Sequence, residues 1–515
     1  MASFPGTPDI AASRRLALWI GGALGLATIA AIDTAIAYAV SPLVALGLPL
    51  AIAATIYFFY RPMVGVYVAV LCVPAEALNL SFGSFGLTPT KSILLLIGGV
   101  VLVRFLAEGH IRKPHPAYIA FLLGQAVTIL GLLVARESFV VIKIWVDWSA
   151  FLAVSMLVAS AEIRQIKIIF YCLSIAGAVL ALESIAHGTS QTLVNGGRVA
   201  TDRAQGAFTH PAQLAFWLLL AISPTLILGM ICRPSLRPLV LGAAVLSIAG
   251  LLLTLTRGAV VGFAGSLFVL LFWARFRRFA LILLALAAVY TAVNLNTIAH
   301  SREISVVTTR LSTVSEGASA GGERLLIWKT TPSIIAAHPL LGVGAGNFST
   351  VSLEYGLSED GLPFEHAHDL LLTIAAERGL IAAALLIWFL AAVAKSGIDA
   401  LRDRTSELYP YALGLCAGLF GLFIDSFVDY PPSQDAVMGT LMIVVGALIA
   451  LERHMRQARE THAPAPPPAG QIQLASADTP QTMMGPDRGD ACSTTAVNVS
   501  AARAMRAGAR STPRR

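Results

Sequence analysis

The sequence predicts an all-α, polytopic membrane protein with about 12–14 transmembrane helices and one large extracytoplasmic segment. Of the 515 residues, 56% are hydrophobic and only 13% are charged, whereas a soluble globular chain has about 25% charged residues. The mean hydropathy of the chain is +0.75. The hydrophobic residues also gather in long runs, and a run of about 20 is enough for a helix to cross the hydrocarbon core.

The apolar runs define the predicted spans. They lie at roughly 16–39, 42–60, 63–79, 91–108, 116–135, 143–160, 167–187, 210–232, 238–255, 258–274, 278–294, 367–394, 409–427 and 435–452. Arg14-Arg15 before the first run resembles a twin-arginine export signal, but the many later spans favour an uncleaved anchor. Residues 1–15 are therefore predicted to be a cytoplasmic N-terminus.

The basic residues agree with a single orientation for all these spans, because cytoplasmic loops are enriched in Lys and Arg. With the N-terminus inside, the basic residues on the cytoplasmic side are Arg61, Arg104, Arg112, Lys113, Arg164, Lys167, Arg233, Arg237, Arg275, Arg277, Arg278, Lys395, Arg402 and Arg404. The segments on the opposite side are 80–90, 188–209, 295–365, the turns at Arg136 and Arg257, and the turn at 425–434.

The chain is therefore divided into five parts. Residues 16–294 and 366–452 form transmembrane helices, and the polar segment 295–365 between them lies outside the cytoplasm. Residues 453–515 are rich in Ala, Pro, Gly, Ser and Arg, a composition typical of a disordered tail. This cytoplasmic tail is interpreted either as an untethered terminus or as a basic arm on anionic inner-leaflet lipids.

Composition also excludes several classes of function. The five cysteines stand singly, without a CxxC or another metal-ligand spacing, so neither a zinc site nor a disulfide framework is indicated. The net charge of +7 lies largely in short loops and in the tail. In a membrane protein this pattern sets orientation, and it is not a signal for nucleic-acid binding.

Two arginines on the outward side go against the positive-inside bias and are candidates for substrate binding. Arg203 lies in the outward segment 188–209, and Arg257 lies in a short turn between two apolar runs. A guanidinium binds phosphate oxygens in pairs and stays charged at any relevant pH. Together, Arg203 and Arg257 therefore predict a diphosphate site at the outer surface. The alternatives are an ion pair of Arg203 with Asp202 and contacts with lipid headgroups.

A third candidate is Arg324 in the outward segment. It belongs to the stretch 322–328, which looks like the start of a short amphipathic helix. Arg324 is expected to contact a phosphate or a sugar, and the alternative is a surface pair with Glu323.

The same segment contains Gly342, Gly344 and Gly346. No strand precedes these glycines and no Lys follows, so they do not match a nucleotide-binding loop. We expect them to form a turn in which the backbone folds closely back over the membrane surface.

The segment ends at two histidines, His366 and His368, where the polar stretch meets an apolar run. A histidine at a membrane boundary can stay hydrated and take part in proton transfer. Residues two apart on a helix point to different faces, so either one histidine is catalytic and the other supportive, or both lie in the entry turn. Asp369 sits where a helix dipole favours a carboxylate. Glu377 is too far along the helix to be the partner of His368, and it is expected to pair with Arg378 or with another helix.

These motifs together resemble the O-antigen ligase and polymerase superfamily over roughly residues 200–400. The matching features are Arg203, Gly206, Phe208 and Pro211, the turn Thr256-Arg257-Gly258-Ala259, Glu323-Arg324 with Trp328, His338-Pro339-Leu340, the three glycines before Asn347-Phe348, and His366-Ala367-His368-Asp369 followed by Gly379. Family members often have Asn or Ser in place of Asp369.

The resemblance implies a bacterial inner-membrane glycosyltransferase with about a dozen spans and a large periplasmic segment. Such enzymes take a glycan from undecaprenyl diphosphate and pass it to lipid A-core or to a second carrier-linked glycan, without a nucleotide sugar, cofactor or metal. It also implies that His368 is the catalytic histidine and that Arg203 and Arg257 bind the diphosphate. Arg324 and His366 complete the predicted substrate-binding set.

Transfer from a glycosyl diphosphate requires deprotonation of an acceptor hydroxyl and stabilisation of the leaving diphosphate. We expect an inverting, metal-independent transfer of the O-antigen ligase type, with lipid A-core as acceptor. An O-antigen or exopolysaccharide polymerase would use the same residues. A small-solute transporter is the alternative from another class, with Asp33 and Glu377 as its few ionisable candidates.

Overall fold

The computed structural model describes residues 53–82, 85–108, 114–186, 190–194, 197–201, 203–281, 320–359 and 362–462. Three expectations lie outside these residues wholly or in large part: the spans at 16–39, 42–60 and 278–294, the first part of the segment 295–365, and the tail beyond residue 462. The description that follows concerns the remainder.

Most of the described chain is helical. The helices are α1 Pro62–Leu71, α2 Pro89–Glu108, α3 Pro116–Leu130, α4 Ser138–Ala159, α5 Ile163–Ala186, α6 Pro211–Ile231, α7 Arg237–Leu253, α8 Arg257–Leu270, α9 Ala320–Ala337, α10 Phe348–Ser352, α11 Leu370–Leu401, α12 Tyr409–Asp425 and α13 Asp435–His462. Residues 53–60 and 274–281 are also helical.

The strands of the described chain form three short antiparallel hairpins in the segments that the sequence analysis predicts to face outward. They are β1 Leu80–Phe82 with β2 Phe85–Leu87, β3 Ser190–Val194 with β4 Gly197–Thr201, and β5 Ser358–Glu359 with β6 Leu362–Pro363. The longest hairpin pairs Ser190 with Thr201 and Val194 with Gly197. Each hairpin connects two helices and leaves the architecture all-α.

Six described helices are long and apolar enough to cross a membrane: α3 with its 3₁₀ extension to Leu133, α4, α5, α6, α11 and α13. Four shorter apolar helices, α1, α7, α8 and α12, accompany them. Two of the shorter helices, α7 and α8, match the predicted spans at 238–255 and 258–274. The prediction of an all-α, multi-pass membrane protein is confirmed.

Two element boundaries differ most from the predicted ones. The run predicted as a span at 63–79 is helical only to Leu71, and a short 3₁₀ helix, Val73–Ala75, follows it. Pro74 explains this end, since it has no N–H to donate to Val70 O and its ring would clash with that carbonyl in a continuing α-helix. Helix α13 continues to His462, ten residues beyond the end of the predicted span at 452.

The centre of the bundle is α6. Eighteen of its residues are buried, and its Trp217 Nε1 donates a 2.9 Å hydrogen bond to Thr440 Oγ1 of α13. The helix begins sharply at His210, whose Nδ1 accepts from Ala212 N while Gln213 Oε1 accepts from His210 N. This capping box, followed by Pro211 at the first helical position, fixes the N-terminus of α6.

Helix α11 is interrupted at Gly379, which has φ 81° and ψ 171°. The glycine turn predicted at 342–346 packs into this interruption: Val343 N donates to Ala376 O at 3.0 Å, and Leu380 N donates to Pro339 O at 2.8 Å. These bonds replace those that the helix loses at the break. The turn therefore folds back as predicted, but onto a broken helix.

Glu377 also binds this turn. Its Oε2 accepts a 2.9 Å hydrogen bond from Gly346 N. The guanidinium of Arg378 instead stacks over the Trp148 ring at 3.8 Å. Glu377 was expected to pair with Arg378 or with another helix. Among the described contacts it has no hydrogen bond to Arg378, and its carboxylate binds the glycine turn.

Candidate active site

A group of polar side chains meets where α11 begins, beside the segment 426–434 that joins α12 to α13. Its members are His366, His368, Asp429, Arg324 and His210. They come from four separate parts of the chain, and the N-terminus of α6 and helix α9 close the group from two sides.

His368 has an unusual backbone. Its φ is 50°, in the left-handed region that residues other than glycine seldom adopt. The conformation is held by a 3.3 Å hydrogen bond from His368 N to His366 Nδ1 and by the start of α11, where Asp369 Oδ1 accepts from Leu372 N at 2.7 Å. Backbone strain of this kind clusters at functional sites. The hydrogen bond from Leu372 N also shows that Asp369 lies at the N-terminus of α11, as expected.

The imidazole of His368 is paired with Asp429. His368 Nδ1 lies 3.2 Å from Asp429 Oδ1, and the His368 side chain remains 27% exposed. Burial alone would raise the pKa of Asp429, but the hydrogen bond with His368 and the charge of Arg324 outweigh burial and hold that pKa well below its usual range. A carboxylate on Nδ1 leaves Nε2 as the ring nitrogen that can exchange a proton with a substrate.

Arg324 on α9 holds the other side of Asp429. One terminal nitrogen donates to Val428 O at 2.5 Å and the other donates to Asp429 Oδ2 at 3.2 Å. Arg324 therefore pairs with the 426–434 segment, and the side chain of Glu323, the alternative partner, lies outside the described part of the structure. The sequence offered no way to choose Asp429 as the partner, because it lies 105 residues away.

The two histidine rings are close together. Their centroids are 4.3 Å apart, and the ring of His366 also lies 5.4 Å from that of Tyr430. Both histidines precede Leu370, where α11 begins, so they occupy the entry turn, the second of the two arrangements considered. Burial, followed by the charge of His368, lowers the pKa of His366 to about 3. His366 is therefore a neutral hydrogen-bond acceptor at physiological pH.

Helix α9 fixes the peptide between the histidines. Trp328 Nε1 donates to Ala367 O at 3.1 Å, and Ala367 N donates to Thr373 Oγ1 at 3.2 Å. Both polar groups of a buried residue are thus satisfied.

Arg203 supports the turn that leads into α8. Its Nε donates to Thr254 O at 2.9 Å and a terminal nitrogen donates to Thr256 Oγ1 at 3.2 Å. Leu255 between these threonines has φ 50°, a second strained position. Arg203 also contributes to lowering the pKa of His210, after burial, the larger cause. The positive charge of Arg203 therefore acts on His210.

Arg257 is the first residue of α8, and its side chain is exposed. The following Gly258 packs against the end of α12, because a Cβ atom there would lie 2.2 Å from Asp425 Oδ1. Asp425 O accepts a hydrogen bond from Asp429 N. The turn with Arg257 is therefore joined through Asp425 to the backbone of Asp429.

The predicted site residues are thus brought together to different degrees. His366 and His368 are in contact, Arg324 is joined to His368 through Asp429, and Arg203 and Arg257 lie on or beside the turn that leads into α8. Asp429 and His210 were missed. Asp429 belongs to the turn at 425–434, which had been assigned to the same side of the membrane as His368, and that shared side was the signal that could have pointed to it.

One group of donor atoms in the described chain has the spacing of a metal site. Nitrogen atoms of His366 and His368 and an oxygen of Asp429 all lie within 4.8 Å of one another. Several of these atoms are already used within the protein: His366 Nδ1 accepts from His368 N, His368 Nδ1 pairs with Asp429 Oδ1, and Asp429 Oδ2 bonds to Arg324. The Arg324 charge beside the carboxylate also opposes a cation.

Comparison with known proteins gives three findings. Residues 242–387 match the family model described as O-antigen ligase. No curated protein matches the chain. A solved structure described as "Structural coordination of polymerization and crosslinking by a peptidoglycan synthase complex" contains a chain that is 16% identical, with a TM-score of 0.39, covering 66% of this chain and 98% of that one.

The family match includes Arg257, Arg324, His366 and His368. Arg203 and Asp429 lie outside the matched residues. The resemblance of this chain to the O-antigen ligase and polymerase superfamily is therefore confirmed, over residues 242–387.

Proposed function

We propose that this chain is an inner-membrane glycosyltransferase that moves a glycan from undecaprenyl diphosphate to a hydroxyl of lipid A-core, with its active face in the periplasm. The observation that supports this most directly is the His368–Asp429 pair, 3.2 Å between Nδ1 and Oδ1, with Arg324 on the other carboxylate oxygen. A histidine oriented by a carboxylate is a recurrent general base.

In the proposed reaction, His368 Nε2 takes the proton of the acceptor hydroxyl. The hydroxyl oxygen forms a bond to the anomeric carbon while the bond from that carbon to the diphosphate oxygen breaks. Asp429 keeps Nδ1 protonated and stabilises the imidazolium that forms. A single displacement inverts the anomeric centre.

The leaving diphosphate needs positive charge near it. Arg203, Arg257 and Arg324 would supply this charge from two turns and α9. The hydrogen bonds of Arg203 to Thr254 and Thr256 hold its guanidinium in place before substrate binds. Such preorganisation makes charge stabilisation effective in the transition state.

No metal takes part in this proposal, because the donors of the His366, His368 and Asp429 group are bonded to one another or to Arg324. Transfer in isolated membranes should therefore continue after treatment with a chelator. Loss of activity that returns with added divalent ions would contradict this proposal.

The first experiment is His368→Ala in the native host, with the lipopolysaccharide ladder and the secreted polysaccharide analysed side by side. Removing a general base is expected to lower the rate by about 10²–10⁴-fold. The matched control is His338→Ala, which removes an exposed histidine from the end of α9 and is expected to change neither product.

The pattern of loss identifies the acceptor. Loss of the whole ladder with carrier-linked glycan accumulating supports the ligase. Loss of long chains with one repeat still on the core would mean an O-antigen polymerase, and loss of secreted polymer alone an exopolysaccharide polymerase. Unchanged products would contradict a glycosyltransferase that depends on His368.

A further inference from the structure

A second group of charged side chains lies inside the helical bundle, apart from the candidate site. Lys91 of α2 is fully buried, and its Nζ lies 2.6 Å from Asp147 Oδ2 of α4 and 3.0 Å from Asp435 Oδ2, the first residue of α13. One ammonium group thus joins three helices that are far apart in sequence.

Asp435 lies directly after the segment that carries Asp429. Between the two acids, Pro431–Ser433 forms a 3₁₀ turn, and Ser433 N donates to Tyr430 O at 3.1 Å. Two consecutive prolines restrict φ along this short connection. The position of Asp435 therefore constrains the position of Asp429.

The other end of the same segment is fixed to α11. Leu370 N donates a 2.9 Å hydrogen bond to Ser426 O, two residues beyond His368. The segment 426–434 is thus held at one end beside His368 and at the other end by Lys91. Asp429 lies between these two attachments and is also bonded to Arg324.

The energetics of a buried ion pair are consistent with a positional role. Removing ions from water offsets much of their attraction, so such pairs add little stability, and in some proteins they specify one arrangement of the chain. Lys91 and Asp147 are 0% and 2% exposed. Their retention in the core calls for a role other than stability.

We propose that Lys91 is a positioning residue for the transfer reaction: its ammonium, through Asp435, keeps Asp429 at hydrogen-bond distance from His368. This inference rests on the proposed function. It extends the site to a residue of α2, in a part of the chain outside the family match.

The test compares four variants in membranes isolated from the native host, which contain the host's own carrier-linked glycan. They are Lys91→Met, Asp429→Asn, the double variant, and Tyr118→Phe. The measured quantity is the initial rate of glycan transfer per amount of folded protein. Tyr118→Phe is the control, because it removes a buried 3.0 Å hydrogen bond to Ser155 O without touching the 426–434 segment.

We expect Lys91→Met to lower the rate about 10-fold, since displacing a catalytic group by about 1 Å is costly. Asp429→Asn should lower it about 100-fold. If Lys91 acts through Asp429, the double variant should be no slower than Asp429→Asn within about twofold, because residues of one network are not additive. Tyr118→Phe should keep the native rate.

The positioning role would be overturned if the rate losses of Lys91→Met and Asp429→Asn multiplied in the double variant. A native rate in Lys91→Met would overturn it as well. A native rate in Asp429→Asn would instead reject the proposed function, so the two failures are distinguishable. If Lys91→Met does not accumulate, Asp435→Asn removes the same link and leaves the pair of Lys91 with Asp147, and the same comparison applies.

Discussion

At the scale of single residues, the candidate site combines a strained histidine with a neutral one. His368 adopts a positive φ, and its backbone N–H donates to His366 Nδ1. His366 can accept this bond only while it is unprotonated, and its pKa of about 3 keeps it so. The neutral state of His366 is therefore part of how His368 is held.

This dependence predicts how stability changes with pH. The pKa of His366 is about 3 in the folded protein and about 6.5 when unfolded. As pH falls below about 6.5, the unfolded state binds a proton first, so the contribution of His366 to stability is complete above that pH and is lost progressively toward pH 3.

His366→Asn offers an acceptor that does not titrate, and it should make the Tm of the detergent-solubilised protein less dependent on pH between 6.5 and 4. His338→Asn, at an exposed histidine, is the control and should keep the native pH dependence. A His366→Asn variant with an unchanged pH dependence would contradict the buried, neutral histidine.

At the scale of elements, the interruption of α11 decides how the outward segment is attached. Gly379 has φ 81° and ψ 171°, a conformation essentially restricted to glycine. A Cβ atom at this position would lie 2.0 Å from Leu340 O. The break and the turn at 339–346 therefore require each other, and together they set the start of α11 where His368 stands.

Gly379→Ala should accordingly destabilise the protein by more than the strain of about 1–3 kcal/mol expected for the backbone alone. Gly356→Ala is a matched control, because Gly356 has φ 70° but no atom within 4 Å of its added Cβ. It should cost only about 1–2 kcal/mol. The midpoint of thermal unfolding measures both, and equal shifts in the two variants would show that the clash with Leu340 is relieved cheaply.

At the scale of the whole molecule, the sequence predicted the helices better than the contacts between them. Apolar runs marked α5, α6 and α12 to within a few residues, since their length and composition follow from the bilayer. Nothing local indicated that Arg324 would bond to Asp429 or that Lys91 would join Asp147 to Asp435. These contacts depend on how distant helices pack, and the local period of the sequence does not contain that information.

For the same reason, the sequence identified only part of the candidate site. His366, His368 and Arg324 stood out because polar residues at a membrane boundary need an explanation. Asp429 lies in a turn of similar polarity to several others, and only the folded chain places it 3.2 Å from His368. The glycines were recognised as a turn, whereas the break in α11 that receives them was not.

The orientation of the molecule gives the last prediction. The positive-inside bias predicts that Glu354, in the predicted outward segment 295–365, lies in the periplasm and that Arg402, after α11, lies in the cytoplasm. Both side chains are exposed, at 53% and 70%. In a chain whose five cysteines are replaced by alanine, Glu354→Cys should react with a membrane-impermeant maleimide in cells with a permeable outer membrane. Arg402→Cys should react only after the inner membrane is lysed. The opposite pattern would place His368 in the cytoplasm. The bias in Lys and Arg would then lose its explanation, and the proposed periplasmic acceptor could not reach the site.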